Sequence, residues 1–322
     1  MYARLGAALL AVAAGAAGIL VAVLLLRSVP GPPSTAAAPV APAPAATAPS
    51  PAVSGGRIST PNDQTFPSPP PGALVLARED VTRDVAVAVE RGLVRVSVVG
   101  GDGNGVRGLD VSVETGGAAR RAAACGPGCY QARIARPASP LTVRYSGRAF
   151  VFTFPALPAP SASAIVRHAV ATWNALHTLV WHEALGSSPT DVIHTVYRAV
   201  APDRLSYTIR GLSAAVIIGG SRWDRATPTS PWQRSIQDPP IRQPQPFWHG
   251  FVDAHVLGST TFAGQPVWRV SFFDPSTPSW FDTLIDKRSY RTLKLDMIAA
   301  AHFMHHVYGP FDRPFQLKPP SA

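Results

Sequence analysis

Alternation of apolar and polar residues with a period of two recurs along most of this 322-residue chain, and it restricts the chain to a mainly β fold. Val94, Val96 and Val98 alternate with Arg95 and Ser97, and Leu109, Val111 and Val113 with Asp110, Ser112 and Glu114. Leu141-Val143-Tyr145 and Phe150-Phe152-Phe154 repeat the pattern, which returns near Val192–Tyr197, Leu205–Ile209, Val267–Phe273 and Trp280–Asp286. Successive strand residues take opposite faces, so each run offers one face to a core and one to water. After Pro155–Pro160 the period changes. Val166, Ala169, Val170, Trp173, Leu176 and Val180 recur at helical spacing behind Ser161-Ala162-Ser163, whose hydroxyls suit a helix start.

Composition shifts divide the chain. Leu5 to Leu26 is 22 residues without a charge, flanked by Arg4 and Arg27. About 20 apolar residues cross a bilayer, so residues 1–27 are expected to be a single-pass anchor, with a long signal peptide as the other reading. Residues 28–72 are rich in Pro, Ala, Ser and Thr and are expected to be an extended linker. Residues 73–156 carry short alternating runs and predict a β-sandwich, with a hairpin through Gly100-Gly101-Asp102-Gly103-Asn104-Gly105. Residues 157–322 predict one helix followed by an antiparallel meander, with a proline-rich loop over one rim at 227–247. Cys125 and Cys129 flank Gly-Pro-Gly, turn chemistry that brings two cysteines within bridging range. A disulfide persists outside the cytoplasm, in keeping with an extracytoplasmic location at the cell membrane for everything after the anchor.

Two resemblances refine this. The stretch V-S-V-V-G-G-D-G-N-G-V-R-G-L-D-V-S-V resembles the hairpin of small immunoglobulin-like sandwiches of the FixH/YtkA type. In the last half, the helix, A-P-D-R-L-S-Y-T-I, V-I-I-G-G-S-R-W and the hairpin W-F-D-T-L-I-D-K-R-S-Y-R-T-L-K-L resemble the LolA/LolB/LppX-like fold, without the lipobox cysteine of LppX and LolB. That resemblance implies a half-open antiparallel β-barrel with an N-terminal helix, holding acyl chains on its concave face. The A-A-A-H-F-M-H-H-V-Y-G-P-F ending resembles extracytoplasmic parts of CopD-type copper-resistance proteins.

Candidate sites follow from residue types. Trp268, Val270 and Phe272 make a wholly apolar strand face; with Trp223 and Trp280 they are the expected lining for a hydrophobic ligand, a lipid or acyl chain. His302, Met304 and His306 share a face if residues 292–307 form one strand. Imidazole with thioether suits copper, with His194, His249 or His255 to complete the set, so copper handling is the alternative function. The competing reading is that these residues cover a sheet edge. No G-x-S-x-G, H-E-x-x-H or Walker sequence occurs, and Asp253 with His255 and Asp282 with Asp286 are the acid–base pairs worth naming; no enzymatic activity is expected. The net charge of +10 is spread along the chain without a basic run, which argues against a nucleic-acid partner. The membrane, a lipid or lipoprotein ligand and a membrane-protein partner remain as expected partners.

Overall fold

The computed structural model describes residues 66–81, 83–188, 190–300 and 302–321. The expected anchor and most of the expected linker, residues 1–65, lie outside them. No helix among the described residues is long and apolar enough to cross a membrane.

The first nine strands are β1 (Leu74–Asp80), β2 (Arg83–Glu90), β3 (Gly92–Val99), β4 (Ser112–Thr115), β5 (Ala118–Arg121), β6 (Ala123–Gly126), β7 (Cys129–Ile134), β8 (Leu141–Tyr145) and β9 (Arg148–Phe152). They form a five-stranded sheet of order β1-β2-β3-β7-β6 and a four-stranded sheet of order β5-β4-β8-β9. The alternating residues supply one shared core: Val94, Val96 and Val98 from the first sheet with Val113, Val143 and Phe152 from the second. Tyr145 spans this layer and gives its hydroxyl to the buried Asp80, which also pairs with Arg148.

The predicted glycine hairpin is not formed. β3 and β4 belong to different sheets, so the chain crosses over after a tight turn. The turn itself is as expected: Gly100 N–H donates to Asn104 O and Asp102 accepts from Asn104 N–H. The return then makes one bridge, Val99 to Gly105, and is displaced by β7. Gly105 and Gly128 touch backbone to backbone; a Cβ on Gly128, whose φ is +61°, would lie 2.4 Å from Gly105 Cα. β7 is therefore the neighbour that completes β3, and the run at 109–113 is left to the facing sheet. The Cys125–Cys129 disulfide is formed and links β6 to β7 at this edge.

Helix α1 (Ser163–Asn174) follows, then β10 (Thr178–Ser188), β11 (Asp191–Val200), β12 (Arg204–Ile209), β13 (Ala214–Ile218), β14 (Ser221–Arg225), β15 (Gln233–Ile236), β16 (Val252–Phe262), β17 (Gln265–Asp274), β18 (Ser279–Asp286), β19 (Thr292–Ala299) and β20 (His302–Phe311). The helix stops before Leu176 and Val180, and Val180 belongs to β10. No side chain caps it at Ala162, although Ser161 Oγ accepts from Ser163 N–H at 3.3 Å. The eleven strands form one antiparallel sheet of order β15-β14-β13-β12-β11-β10-β20-β19-β18-β17-β16. It is open, with β15 and β16 as edges, so no closed barrel exists. Residues 292–307 are two strands rather than one. The histidine cluster therefore lies in the middle of the sheet and covers no edge of it, because β20 lies between β10 and β19.

One face of this sheet, here the inner face, is covered by α1 through Val166, Ala169 and Trp173. The other face of β17–β20 packs on the five-stranded sheet. Ala73, Val75, Ala86, Ala88 and Val99 meet Phe273, Trp280, Ile298 and Phe303 there. The small side chains of β1 and β2 let the aromatic residues approach closely. Phe66, within the expected linker, stacks 5.1 Å from Trp280 and 5.9 Å from Phe273, so the linker's last residues belong to the packed structure.

Candidate functional site: the inner face of the large sheet

The register of the strands determines which side chains share the inner face. Val270 pairs with Thr283, Thr283 with Leu295, Leu295 with His306 and His306 with Glu183. One row along, Phe272 pairs with Phe281, and Trp268 with Ile285. Of the expected ligand-lining residues, Trp268, Val270 and Phe272 are therefore on the inner face, with Val270 and Phe272 wholly buried. Trp280 is not. Because Phe281 is the inner residue opposite Phe272, the period of two turns Trp280 outward, into the junction with β1 and β2. Trp223 also points away. Its partners Val216 and Arg234 lie on the outer face, while Arg222 and Asp224 point in. The inner place is taken by Arg222, which makes a two-pronged pair with Asp224 and donates to Tyr207 Oη at 2.8 Å.

The inner face is filled by the chain itself. The irregular segment 237–251 lies across it, burying Ile241 and Trp248. Trp248 meets Phe272 at 5.4 Å, Phe281 at 6.0 Å and, edge-on, Trp173 at 6.4 Å. Phe247 stands 4.4 Å from the His306 ring and 6.2 Å from Trp181. The segment pairs with no strand. Gln237 N–H and Gln243 N–H reach Gly220 O and Pro202 O, and Asp274 accepts from His249 N–H and Gly250 N–H. Four proline residues between 239 and 246 explain this, since each lacks the donor a ladder needs. The expected rim loop is thus tucked onto the apolar face.

Under Phe247 lies a buried polar network that residue types alone did not reveal. Glu183 Oε2 is 2.7 Å from His306 Nε2, Tyr197 donates to Glu183 Oε1 at 3.1 Å, and His306 Nδ1 is 2.7 Å from Tyr308 Oη. Burial and the neighbouring Glu183 charge push the Tyr308 hydroxyl well above its usual pKa, so it keeps its proton. Glu183 and Tyr308 thus engage both ring nitrogens of His306. Tyr308→Phe is expected to leave Nδ1 unpaired and to lower stability by about 1–3 kcal/mol, read from the midpoint of urea unfolding; an unchanged midpoint would show that the network does not hold this region.

His302, Met304 and His306 do alternate on one side of β20, with Phe303 and His305 on the other. Met304 and His306 are wholly buried, and both ring nitrogens of His306 are taken by Glu183 and Tyr308, leaving no lone pair for copper. Among the described residues no three His, Cys, Asp or Glu are grouped as a metal site. His305 pairs instead with Asp296 at 2.8 Å. That bond raises the imidazole's pKa; burial alone would raise the Asp296 carboxyl, but His305 and Lys294 hold it below its usual value.

The acid–base pairs have structural partners. Asp253 accepts from Gly72 N–H, His255 Nδ1 faces Ala159 O, Asp282 pairs with Arg269, and Asp286 accepts from Ser289 in the β18–β19 turn.

No family model matches the chain, and no curated protein does. Among solved structures it is similar to LprF from Mycobacterium bovis, at 8% identity and a TM-score of 0.38 over 51% of this chain and 100% of that one. It is also similar to a LolA superfamily protein from Nitrosomonas europaea, at 10% identity and a TM-score of 0.25, over 49% of this chain and 96% of that one. A putative outer membrane lipoprotein-sorting protein domain from Vibrio parahaemolyticus is similar at 11% identity and a TM-score of 0.26, over 48% of this chain and 93% of that one. At such identities the site's chemistry has to be read from this chain's own side chains.

Two donors stand out on the inner face. The indole N–H groups of Trp181 and Trp248 are buried without an acceptor among the described residues. An unpaired buried donor costs about 1–3 kcal/mol. Trp181 was not among the expected lining residues: indole nitrogens carry no sequence signal, and their lack of partners exists only once the face is packed.

Proposed function

We propose that the protein is a membrane-anchored extracytoplasmic binding protein without enzymatic activity, in which an immunoglobulin-like sandwich supports a sheet that holds an apolar ligand, a lipid or acyl chain. The observation that carries this reading is the inner face. It is a bed of Val270, Phe272, Phe281 and Ile285, covered by a segment without ladder bonds and bearing two indole donors that have no acceptor among the described residues. The ligand would take the place of Phe247 and Trp248, and a carboxyl or ester oxygen would accept from the indoles. Burying ten methylenes contributes about 8 kcal/mol before the cost of ordering the chain. The copper reading has no such support, because His306 is already fully bonded.

Native mass spectrometry of the chain expressed without residues 1–27 tests this. One stoichiometric adduct, removable by organic solvent and replaceable by oleate, is the expected result. Adduct-free protein that also fails to take up oleate would overturn the reading.

A further inference from the structure

Among the described residues the sandwich packs on β16–β20 and not on the outer face of β11–β15, where the strand register brings arginines together with tryptophan and aliphatic side chains. Arg198, Ser206, Val216, Trp223 and Arg234 form one cross-strand row. Ile218, Ser221 and Ile236 lie in the next row. Arg225 flanks Trp223 on the same strand face, and its guanidinium stands 4.8 Å over the Trp232 ring. Arg234 stands 5.6 Å over Trp223 in the same way.

None of Arg198, Arg225 and Arg234 makes an ion pair among the described residues. The acid of β14, Asp224, points inward to Arg222, and the nearest other carboxylates along the chain, Asp203 and Asp238, lie beyond the strand ends. Ile236 is 84% exposed, the most exposed large apolar side chain among those described.

We propose that this face of β11–β15 docks on an anionic lipid surface, with Arg198, Arg225 and Arg234 on lipid phosphates and Ile236 and Trp232 in the interfacial layer. Unopposed cations gain about 1 kcal/mol each, roughly a fivefold change, near such a surface. Tryptophan is favoured at the headgroup level because its ring is apolar and its N–H is polar. A single-stranded nucleic acid fits less well. It needs bare ring faces for base stacking, and here Arg225 and Arg234 already lie over both indoles. The inference goes beyond the proposed ligand site and lies on the opposite face of the sheet from it.

Hydrogen exchange over Ser221–Gln237 in the full-length chain decides the matter. The chain is reconstituted into vesicles of phosphatidylcholine alone or with phosphatidylglycerol. Slower exchange on the anionic vesicles only, reversed by high salt, is expected. The triple variant R198Q/R225Q/R234Q should weaken the contact about a hundredfold, at roughly fivefold per arginine. Ile236→Asp should weaken it too, and exchange in the sandwich should stay unchanged in both variants. Equal exchange on both kinds of vesicle would overturn the proposal. So would protection that grows with protein concentration in lipid-free detergent, the sign of a second copy, or protection by an oligonucleotide in place of vesicles. Retention on neutral vesicles reports the N-terminal anchor and is read separately.

Discussion

Trp248→Ala is expected to destabilise the ligand-free protein by about 3–5 kcal/mol, the usual cost of removing a buried large aromatic side chain, and added oleate is expected to return a large part of it. Trp248 is 3% exposed and touches Trp173, Phe272 and Phe281, so its removal opens the centre of the inner face. A ligand at a hundred times its dissociation constant stabilises by about 2.7 kcal/mol. The control is Phe152→Ala in the sandwich core, also wholly buried, where a similar loss is expected and oleate should add no more than it adds to the parent. A long chain cannot be housed in the space of one indole, so rescue by oleate requires the 237–251 segment to move. Thermal unfolding of both variants with and without oleate provides the measurement. No stabilisation of Trp248→Ala by oleate, or a gain in Phe152→Ala that exceeds the parent's by as much as that in Trp248→Ala, would count against the inner face as a ligand site.

The second large effect is expected at Asp84. This carboxyl is wholly buried on the face of β2 that meets the large sheet, beside Ala86 and Ala88, and neither of its oxygens has a hydrogen-bond partner among the described residues. Burial raises its pKa to about 8. The folded protein therefore holds this proton while the unfolded chain releases it above about pH 4. Because the folded state binds more protons across that window, stability falls as pH rises from about 4 to about 8 and levels off above it. At about 1.4 kcal/mol per pH unit the loss is on the order of 5 kcal/mol. Asp84→Asn keeps the shape of the protonated acid and cannot ionise. Urea unfolding from pH 4.5 to pH 9 should show the variant and the parent nearly equal at the acid end and the variant more stable at the alkaline end. Parallel curves would mean that Asp84 does not titrate in this window.

Much of the strand pattern was legible because alternation reports burial directly. The strands expected at Leu205–Ile209 and Trp280–Asp286 are each found within one residue at the start. Val270 and Phe272 were assigned to the covered face correctly for the same reason. Three features show where local pattern stops short. The glycine hairpin failed because a turn specifies a reversal and not a partner, and β7 competed successfully for β3. Trp280 was assigned to the wrong face because neighbouring Trp280 and Phe281 are both large and apolar, so alternation is silent there. β2 carries Val85, Val87 and Val89 on one face and Ala86 and Ala88 on the other, a strand buried on both sides, yet nothing in it says what covers the alanine side.

By itself the sequence determined a mainly β chain with one helix after residue 160, a disulfide at Cys125–Cys129 and an apolar strand face at Trp268–Phe272. Each follows from local periodicity or from turn chemistry between nearby residues. Only the tertiary structure decided that β20 runs between β19 and β10, that His306 meets Glu183 from 123 residues away, and that residues 237–251 cover the inner face. Those outcomes depend on which strand edges pair and which buried polar atoms find partners. The competition is among segments distant in the chain, and its result is expressed in no single stretch of it.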